Sequence, residues 1–462
     1  MTDATQTSAL PDGVLVGFYG DDFTGSASVM EVLTFAGLPT VLFLKTPTAM
    51  QQARFAGCRG VGIAGISRSR APEWMDDHLP SAFDMLAGLD APIVHYKVCS
   101  TFDSAPQIGS IGRAIELAAP IVGGRWHPMI VAAPAIARYQ AFGNLFAAVG
   151  GEGYRLDRHP TMSRHPVTPM HEADVRRHLA KQTTVPVGLI DYLAMKQGAA
   201  DVRLAHELQR GMEIVSLDVV DDETLADAGR LIWTHRGERL FAIGSQGLEY
   251  ALIAHWRAAD LLPSQPTTAF QLKPVARIAC VSGSCSPTTA QQIEVAERNG
   301  FVGIALDTSR AVDQPAWANE LKRASDLASA LIGEGRDPLV FSAKGPDDPA
   351  LTRTAAAAEA AGVALGAVND RIGAGLGSVL DTVLKTTGVT RAVVAGGDTS
   401  GHAMLTLGTC ALTAIAPIAP GSPLCHAHSD DPTGAGFEIA LKGGQIGAPD
   451  FFYTAKTGVI AT

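Results

Sequence analysis

The chain has 462 residues, more than one ordinary domain holds, so we expect two or three domains. Apolar residues make up 47% and charged residues 18%, which excludes a disordered chain and allows sizeable hydrophobic cores. A net charge of −10 without a block of Lys or Arg argues against a general nucleic-acid binder. The chain contains no run of 18 apolar residues, so we expect no membrane span. The six cysteines are scattered without a C-x-x-C pair, and the polar N-terminus has no signal-peptide core, so we expect a cytoplasmic location.

The first half of the chain alternates short apolar runs with helical stretches. A predicted strand at Val14–Phe18, a helix from Thr24 to Ala36 and a strand at Thr40–Leu44 form one βαβ unit. Several later runs are rich in Val and Ile without polar alternation, which is typical of parallel strands buried on both faces. These further predicted strands are Gly60–Ile66, Ile93–Val98, Met129–Ala133, Val187–Ile190 and Leu240–Ile243.

A domain boundary is predicted near Leu261–Lys273, where turn-forming residues interrupt the pattern. The alternation then restarts with predicted strands at Ile278–Val281, Val302–Leu306, Leu339–Phe341 and Arg391–Val394. The sequence therefore predicts an α/β fold with two domains, residues 1–262 and 272–462, each a mostly parallel sheet flanked by helices.

The most informative motif is the segment of residues 17–25, Gly-Phe-Tyr-Gly-Asp-Asp-Phe-Thr-Gly, directly after the first predicted strand. It places Asp21 and Asp22 side by side at the start of a helix. Two adjacent carboxylates cost free energy unless a cation, a ligand or a helix N-terminus offsets their charge. Open α/β sheets bind ligands at the carboxyl ends of their strands, so this motif indicates a site for chemistry.

Cations follow two other strands of the first domain. Arg68 comes after the predicted strand that ends at Ile66, and Lys97 lies inside the next one, followed by Ser100 and Thr101. Such cations could hold a small acid opposite the aspartates. The alternative for Arg68 is an ordinary solvated ion pair, whereas a lysine within a strand needs a partner.

Two loops carry ambiguous signals. Residues 159–170, which include His165, are rich in prolines and either line a site or form a stiff connection. Residues 425–431 contain Cys425, His426 and His428 in a predicted loop without zinc-site spacing, so we expect no metal there.

The second domain has glycine and serine turns after predicted strands, at residues 282–287 and 395–401. The first opens a helix with hydroxyls and a proline, and such an N-terminus presents free N–H groups to phosphate. Each turn alone could be an ordinary strand–helix junction, but the two together favour a nucleotide site. Neither is a P-loop. A third turn, Lys442-Gly-Gly444, could contribute to the edge of a phosphate or purine site or be a plain turn. The segment Gly373-Ala-Gly375-Leu-Gly377 follows no clear strand, so it is an unlikely dinucleotide-binding motif.

Seven of these motifs occur in the order seen in the four-carbon acid sugar kinase family, which the chain resembles over nearly its whole length. The motifs are residues 20–25, Ser67-Arg68, Lys97 with Ser100-Thr101, residues 165–170, residues 283–286, residues 396–400 and Lys442-Gly-Gly444. The resemblance implies ATP-dependent phosphorylation of tetronate-type sugar acids such as 3-oxo-tetronate, threonate or erythronate. It also implies an N-terminal acid-sugar-binding domain, a C-terminal nucleotide-binding domain and an active site in the cleft between them.

We assign roles on this resemblance. Asp22 is the expected base, with Asp21 as its orienter or as a magnesium partner; the sequence alone cannot order the two. The expected substrate-binding residues are Arg68, Lys97, Ser100, Thr101 and His165. The residues expected to bind ATP, with Mg²⁺ bridging the phosphates, are Ser284, Gly396, Gly397, Asp398, Thr399 and Gly444. We expect no nucleic-acid or membrane partner, and a homodimer is compatible with the sequence.

The chain departs from the family pattern after Lys97. Many members carry an Asp-Ser-Thr-x-Arg-Gly-Asn run there, and this chain has Asp103 where the arginine is expected. A family branch that phosphorylates the branched acid 3-oxo-isoapionate is similar at this point, so that acid is a strong alternative to a linear tetronate. The rival functions are an aldolase or isomerase of a phosphorylated sugar acid and a non-enzymatic sugar-acid sensor. The lack of an obvious Schiff-base lysine pocket and of a DNA-binding module disfavours them.

Overall fold

A computed structural model describes residues 9–165, 167–264, 270–430 and 436–459 of the chain. The chain divides into two units, Met1–Thr268 and Ala269–Thr462. Residues 265–269 of the predicted linker lie outside the described residues. Within the described ranges, no helix combines the length and apolar character that a membrane span needs.

Within its described residues the first unit has eleven strands, eight of which form a parallel sheet. In chain order its strands are β1 (Val16–Gly20), β2 (Thr40–Phe43), β3 (Gly60–Ala64), β4 (Ile93–Lys97), β5 (His127–Ile130), β6 (Arg138–Ala141), β7 (Asn144–Val149), β8 (Glu152–Arg155), β9 (Val187–Ile190), β10 (Ile214–Leu217) and β11 (Leu240–Gly244). The large sheet has the order β2-β3-β1-β4-β11-β5-β10-β9, and β6, β7 and β8 form a separate antiparallel sheet. Most strands of the large sheet are buried along their length, which agrees with their continuous apolar sequences.

Helices cover this sheet and complete its core. They are α1 (Phe23–Phe35), α2 (Ala49–Ala53), α3 (Pro72–Ala87), α4 (Ile111–Val122), α5 (Val175–Leu179), α6 (Tyr192–Lys196), α7 (Ala200–Gln209), α8 (Asp222–Thr234) and α9 (Gly247–Ala258). One apolar cluster fills the space between the sheet and helices α3 and α4, and it includes Phe83, Tyr96 and Phe241.

The second unit has a mixed sheet. Its strands are β12 (Ala279–Ser282), β13 (Phe301–Ala305), β14 (Asp337–Phe341), β15 (Arg391–Ala395), β16 (Thr409–Ala419), β17 (Ser422–Ser429) and β18 (Phe437–Lys442), and its helices are α10 (Pro287–Arg298), α11 (Gln314–Gly333), α12 (Pro349–Ala360), α13 (Leu365–Thr387), α14 (Gly397–Thr406) and α15 (Phe451–Thr457). The order β13-β14-β12-β15-β18 is parallel, and β17 and β16 continue the sheet as an antiparallel pair.

The predicted fold class, α/β with two mostly parallel sheets flanked by helices, is confirmed. One local prediction was wrong, because Cys425, His426 and His428 lie in β17 rather than in a loop. The Gly373–Gly377 segment follows no strand and lies inside α13, where its glycines permit close helix packing: a Cβ on Gly375 would approach Trp317 Cζ2 to 2.6 Å.

Candidate functional site

The paired aspartates lie at the carboxyl end of β1, as expected. Asp22 is the N-cap of α1, and its Oδ1 accepts a hydrogen bond of 2.9 Å from the backbone N–H of Gly25. The helix can begin this close to the strand because Gly20 has no side chain; a Cβ there would lie 1.9 Å from Ser26 Oγ. The strand–helix junction therefore fixes where both carboxylates point.

Arg68 joins the two carboxylates into one cluster. Its Nε and Nη2 donate to the two oxygens of Asp21 at 3.1 and 2.7 Å, and its Nη1 donates to Asp22 Oδ2 at 3.0 Å. Burial raises the pKa of Asp21, and the Arg68 guanidinium opposes that rise. Most of the Arg68 donors are thus used within the protein, which the sequence could not indicate, because the residue is 46 positions away from Asp22.

Asp21 and Asp22 differ in accessibility. The Asp21 side chain is 4% exposed and makes a bidentate pair with Arg68, whereas the Asp22 side chain is 28% exposed. Asp22 is therefore the carboxylate that can touch a ligand, and Asp21 can act through Arg68. The sequence left the order of the two residues open, and this difference in exposure is the observation on which their roles can be proposed.

Lys97 ends β4 beside this cluster and is almost fully buried. Its Nζ donates to the backbone carbonyl of Val98 at 2.6 Å. Lys97 Nζ and Asp22 Oδ1 lie 2.7 and 2.4 Å from the point that a Cβ on Gly25 would occupy, so a glycine is needed there. Within the described ranges no ion pair joins Lys97 to a carboxylate, so this buried ammonium has spare donors for an anion.

The segment that follows Lys97 turns back toward Arg68. Thr101 Oγ1 donates to Asp103 Oδ1 at 2.7 Å, and Ser100 lies half-buried in the same turn. Burial alone would raise the pKa of Asp103, but the charge of Arg68 and the Thr101 hydrogen bond outweigh it and lower that pKa. Asp103 is therefore an anion that faces the same guanidinium as Asp21 and Asp22.

Residues that the sequence analysis did not single out hold this turn in place. Phe102 has a φ of +54°, an uncommon conformation for a non-glycine residue. Ser104 Oγ contacts the Phe102 carbonyl at 3.0 Å and His178 Nε2 at 3.0 Å, and Gln182 Nε2 donates to Ser104 Oγ at 2.8 Å. Because His178 and Gln182 are more than 70 residues downstream, no local pattern indicates this support.

His165 lies in the expected irregular loop. Its Nδ1 accepts a hydrogen bond of 3.1 Å from the backbone N–H of Thr168 and contacts Thr168 Oγ1 at 2.9 Å. Across the described part of the chain, no hydrogen bond joins His165 to the aspartate cluster. Pro166 of the same motif lies outside the described residues.

In the second unit, the three glycine turns come together. They follow β12, β15 and β18, which are adjacent parallel strands paired in register at Ser282, Ala395 and Lys442. Gly283 N–H donates to the Ala395 carbonyl at 2.9 Å, and Gly396 N–H donates to the Lys442 carbonyl at 2.9 Å. Turns that lie far apart in the chain, the first more than 100 residues before the other two, thus form one surface at the carboxyl edge of the sheet.

This surface has little room for side chains. A Cβ on Gly283 would lie 2.1 Å from Thr399 Oγ1, and a Cβ on Gly444 would lie 2.8 Å from Ser284 Oγ. Gly396 has a φ of +121° and precedes α14 without a side-chain cap, so the first N–H groups of that helix, beginning at Gly397, remain available. The side chain of Asp398 lies outside the described part of the structure.

A pocket of about 320 Å³ opens next to these turns. Gly283, Cys285 and Thr399 form its edge. Its other lining residues come from the turn after β14, the 3-10 segment Thr308–Val312 and helices α12, α13 and α14, and they are Thr308, Ser342, Leu351, Thr354, Leu365, Asn369, Asp370, Ile372, Gly373 and His402. This pocket could not be predicted from the sequence, because its walls lie on helices whose apolar residues look like ordinary core positions.

Comparison with known proteins matches both units. A family model described as a sugar-binding N-terminal domain matches residues 16–252, and one described as a nucleotide-binding C-terminal domain matches residues 279–452. The chain is 50% identical to the 3-oxo-isoapionate kinase of Paraburkholderia graminis, covering 100% of this chain and 98% of that protein. It is 32% identical to the 3-oxo-tetronate kinase of Methylobacterium radiotolerans, covering 95% of this chain and 97% of that protein.

Solved structures resemble the whole chain as well. A protein of Salmonella typhimurium LT2 has a TM-score of 0.79 and 25% identity, covering 96% of this chain and 98% of that one. A Haemophilus influenzae protein has a TM-score of 0.71 and 25% identity, covering 95% and 99%.

Proposed function

The chain belongs to the four-carbon acid sugar kinase family and is a sugar-acid kinase, and we propose that it transfers the γ-phosphoryl group of ATP to a hydroxyl of a branched 3-oxo acid of the isoapionate type. The observation that carries the acceptor chemistry is the meeting of Asp22, Arg68 and Lys97 at one strand edge. The choice of a branched acid is supported by the 50% identical 3-oxo-isoapionate kinase and by Asp103.

Asp22 is our proposed base. Its carboxylate is the more exposed of the pair and is oriented by the Gly25 N–H and by Arg68. It would take the proton of the acceptor hydroxyl as the hydroxyl oxygen attacks the γ-phosphorus and ADP leaves. Asp21 would hold Arg68 in position, so that Asp22 is presented in one geometry.

Lys97 is the proposed partner of the substrate carboxylate. Its Nζ is buried, donates to one backbone carbonyl and makes no direct ion pair in the described part of the chain, so its remaining donors are open to a substrate carboxylate. Ser100, Thr101 and His165 remain our proposed contacts to the substrate hydroxyls. Arg68, which we first expected on the substrate carboxylate, acts in this proposal mainly on the two aspartates.

Asp103 would shape the substrate preference. A carboxylate can only accept hydrogen bonds, whereas the arginine of other family members can only donate them. Beside Arg68, the Asp103 carboxylate repels a second acid group but accepts a hydrogen bond from a hydroxyl. This favours an acid whose branch places a hydroxymethyl or hydroxyl group there.

ATP would bind to the second unit. Ser284, Gly396, Gly397, Asp398, Thr399 and Gly444 are the proposed phosphate contacts. The pocket edged by Gly283 and Thr399 would hold the nucleoside, because its leucine and isoleucine walls suit a flat base and Asn369 offers a polar contact.

Mg²⁺ would enter with ATP as part of the substrate. Among the residues that the structure describes, no group of three or more His, Cys, Asp or Glu side chains could hold a metal ion. Magnesium in phosphoryl-transfer sites is held largely by the phosphates and water, with one or two carboxylates, so this donor set is compatible with MgATP.

The test is a coupled ADP-release assay on the full chain over 3-oxo-isoapionate, 3-oxo-tetronate, threonate and erythronate. We expect ADP release only with a sugar acid present, and the highest kcat/KM with the branched acid. A higher kcat/KM for a linear tetronate would contradict the substrate assignment. Conversion of a phosphorylated sugar acid without ATP consumption would instead support an aldolase or isomerase.

A further inference from the structure

Lys442 is a buried cation that the proposed reaction does not yet use. It ends β18, is 0% exposed, and lies directly before the Gly443–Gly444 turn of the proposed phosphate surface. Within the described ranges, no salt bridge joins it to a carboxylate, and its Nζ donates to Thr289 Oγ1 at 3.0 Å. The ring of Phe451 lies 5.9 Å away, which gives a weak cation–π contact at most.

Thr289 connects this ammonium to the surface of the turns through hydroxyl groups. Thr289 Oγ1 donates to the Gly444 carbonyl at 2.9 Å and lies 3.1 Å from Ser286 Oγ, which in turn lies 3.4 Å from Ser284 Oγ. Ser286 is the N-cap of α10, and Ser284 is a proposed phosphate contact. A continuous chain of hydrogen-bonding groups therefore runs from Lys442 to the place where we expect phosphate.

The charge of Lys442 determines which group donates and which accepts in this series of hydrogen bonds. An ammonium has donors and no acceptor, so Thr289 must accept from it and turns its own proton toward the Gly444 carbonyl. Ser286 Oγ then donates to Thr289 Oγ1 or to the Gly444 carbonyl, and Ser284 Oγ donates to Ser286 Oγ. Because this last hydrogen bond is long, at 3.4 Å, the Ser284 proton can turn outward to an anion at little cost. A neutral amine could accept instead, and the hydroxyl order could then reverse.

We propose that Lys442 is a positioning residue for the phosphates of ATP: through Thr289 and the serine hydroxyls, its positive charge orients the donors of the turn surface. The proposal rests on the proposed binding of ATP to the second unit. It makes the affinity for phosphate-bearing nucleotides depend on the protonation of one buried lysine.

The surroundings of Lys442 support a pH-dependent effect. Burial lowers its pKa to about 8, and no charged group contributes to that shift. The elements around Lys442 do carry titratable groups, none of which contributes to that shift. They are Cys285 before α10, Glu294, Glu297 and Arg298 on α10, Asp450 before α15, Tyr453 and Lys456 on α15, Arg391 on β15, and Cys425, His426 and His428 on β17. On α15, Lys456 pairs with Asp337, so its charge is compensated.

The test measures the affinities of ATP and adenosine for the full chain by calorimetry between pH 7.5 and 9.5. The terminal phosphate is fully ionised in this range, because phosphate esters lose their second proton near pH ~6. We expect ATP to bind about tenfold more weakly at pH 9.5, the size of effect of losing one charge-assisted hydrogen bond, while adenosine affinity stays constant.

Two variants separate positioning from a purely structural role. Lys442→Met should weaken ATP binding about tenfold at pH 7.5 and remove its pH dependence. Thr289→Val, which keeps the charge but cuts the hydroxyl chain, should do the same. Lys385→Met is the matched control, because Lys385 is 74% exposed on α13 and its loss changes the net charge equally.

The outcomes distinguish this inference from the proposed function. Saturable ATP binding with a flat pH profile, or a parallel loss of ATP and adenosine affinity, would overturn the role of Lys442 alone. A wild-type chain that binds no ATP at any pH would overturn the proposed nucleotide site and this inference with it. The wild-type pH profile decides the question even where a variant fails to fold.

Discussion

Asp22→Asn tests the assignment of the base without removing the helix cap. Asparagine keeps an Oδ1 that can accept from the Gly25 N–H, and Asn and Asp are equally good N-cap residues. The variant loses the carboxylate that would take the hydroxyl proton. General-base groups contribute roughly 10²–10⁴ to rate, or about 3–5 kcal/mol in activation free energy, so we expect kcat/KM to fall by that factor.

The structure also predicts that this variant stays folded. Removing one carboxylate weakens a hydrogen bond to Arg68 but relieves the repulsion between Asp22 and Asp21, so the net change in the free energy of unfolding should be small. Asp22→Ala removes the cap as well and should cost about 1 kcal/mol more.

The assays are ADP-release kinetics, ATP affinity by calorimetry and thermal unfolding. Asp191→Asn is the matched control: Asp191 follows β9 and caps α6, its Oδ1 accepting a 2.9 Å hydrogen bond from Ala194 N–H, and no arginine of the described residues pairs with it. We expect the control to keep its turnover. If Asp22→Asn turned over like the wild type, or lost ATP affinity as strongly as rate, Asp22 would not be the base.

Three further predictions concern the turns, the specificity and the stability. Gly283→Ala places a Cβ 2.1 Å from Thr399 Oγ1, so the KM for ATP should rise at least about tenfold. Gly401 lies on the same helix as Thr399, but a Cβ there meets nothing within 4 Å, so Gly401→Ala should leave this KM unchanged. Equal effects of the two substitutions would refute the steric argument. Asp103→Arg should shift the kcat/KM ratio toward linear tetronates, because a guanidinium offers donors where the carboxylate repels an anion, and an unchanged ratio would show that this residue does not set specificity. Burial lowers the pKa of His178 from 6.5 to about 4, so the unfolded chain binds a proton more readily than the folded one. Stability measured by denaturant unfolding should therefore fall as the pH drops from 6.5 toward 4. The His178→Gln variant should lack this dependence, and identical pH profiles for the two proteins would argue against it.

The large parallel sheets were predictable because their strands are continuous apolar runs. The predicted strand at Val187–Ile190 matches β9, and most others differ from the structure by one or two residues at an end. Strands β16 and β17 were not predicted, although they are consecutive in the chain and pair with each other. Register shifts and polar residues between apolar ones obscure the alternation from which a strand is predicted.

The candidate site was predictable as a set of strand ends and not as a set of contacts. Residues such as Asp22, Lys97 and Gly396 stand directly after or at the end of apolar runs, and the rule that ligands bind there is general. The hydrogen bonds from Arg68 to the two aspartates depend on how β1 and β3 pair, and this pairing is a tertiary property. The support of Phe102 by His178 is equally long-range.

The buried charge of Lys442 should destabilise the folded chain when no ligand is bound. The fold lowers the pKa of Lys442 from 10.5 to about 8, so at pH 7.5 holding it charged costs roughly 3 kcal/mol of folding free energy. Lys442→Met should therefore stabilise the ligand-free chain in urea unfolding at pH 7.5, since methionine fills a similar volume without a charge. Between pH 8 and 10.5 the unfolded chain keeps this proton and the folded chain releases it, so the wild type should gain stability relative to the variant as the pH rises. The difference in the free energy of unfolding between the two proteins should therefore shrink over this range. A variant less stable than the wild type at pH 7.5, or a gap that does not change with pH, would mean that another group already compensates this charge in the folded chain.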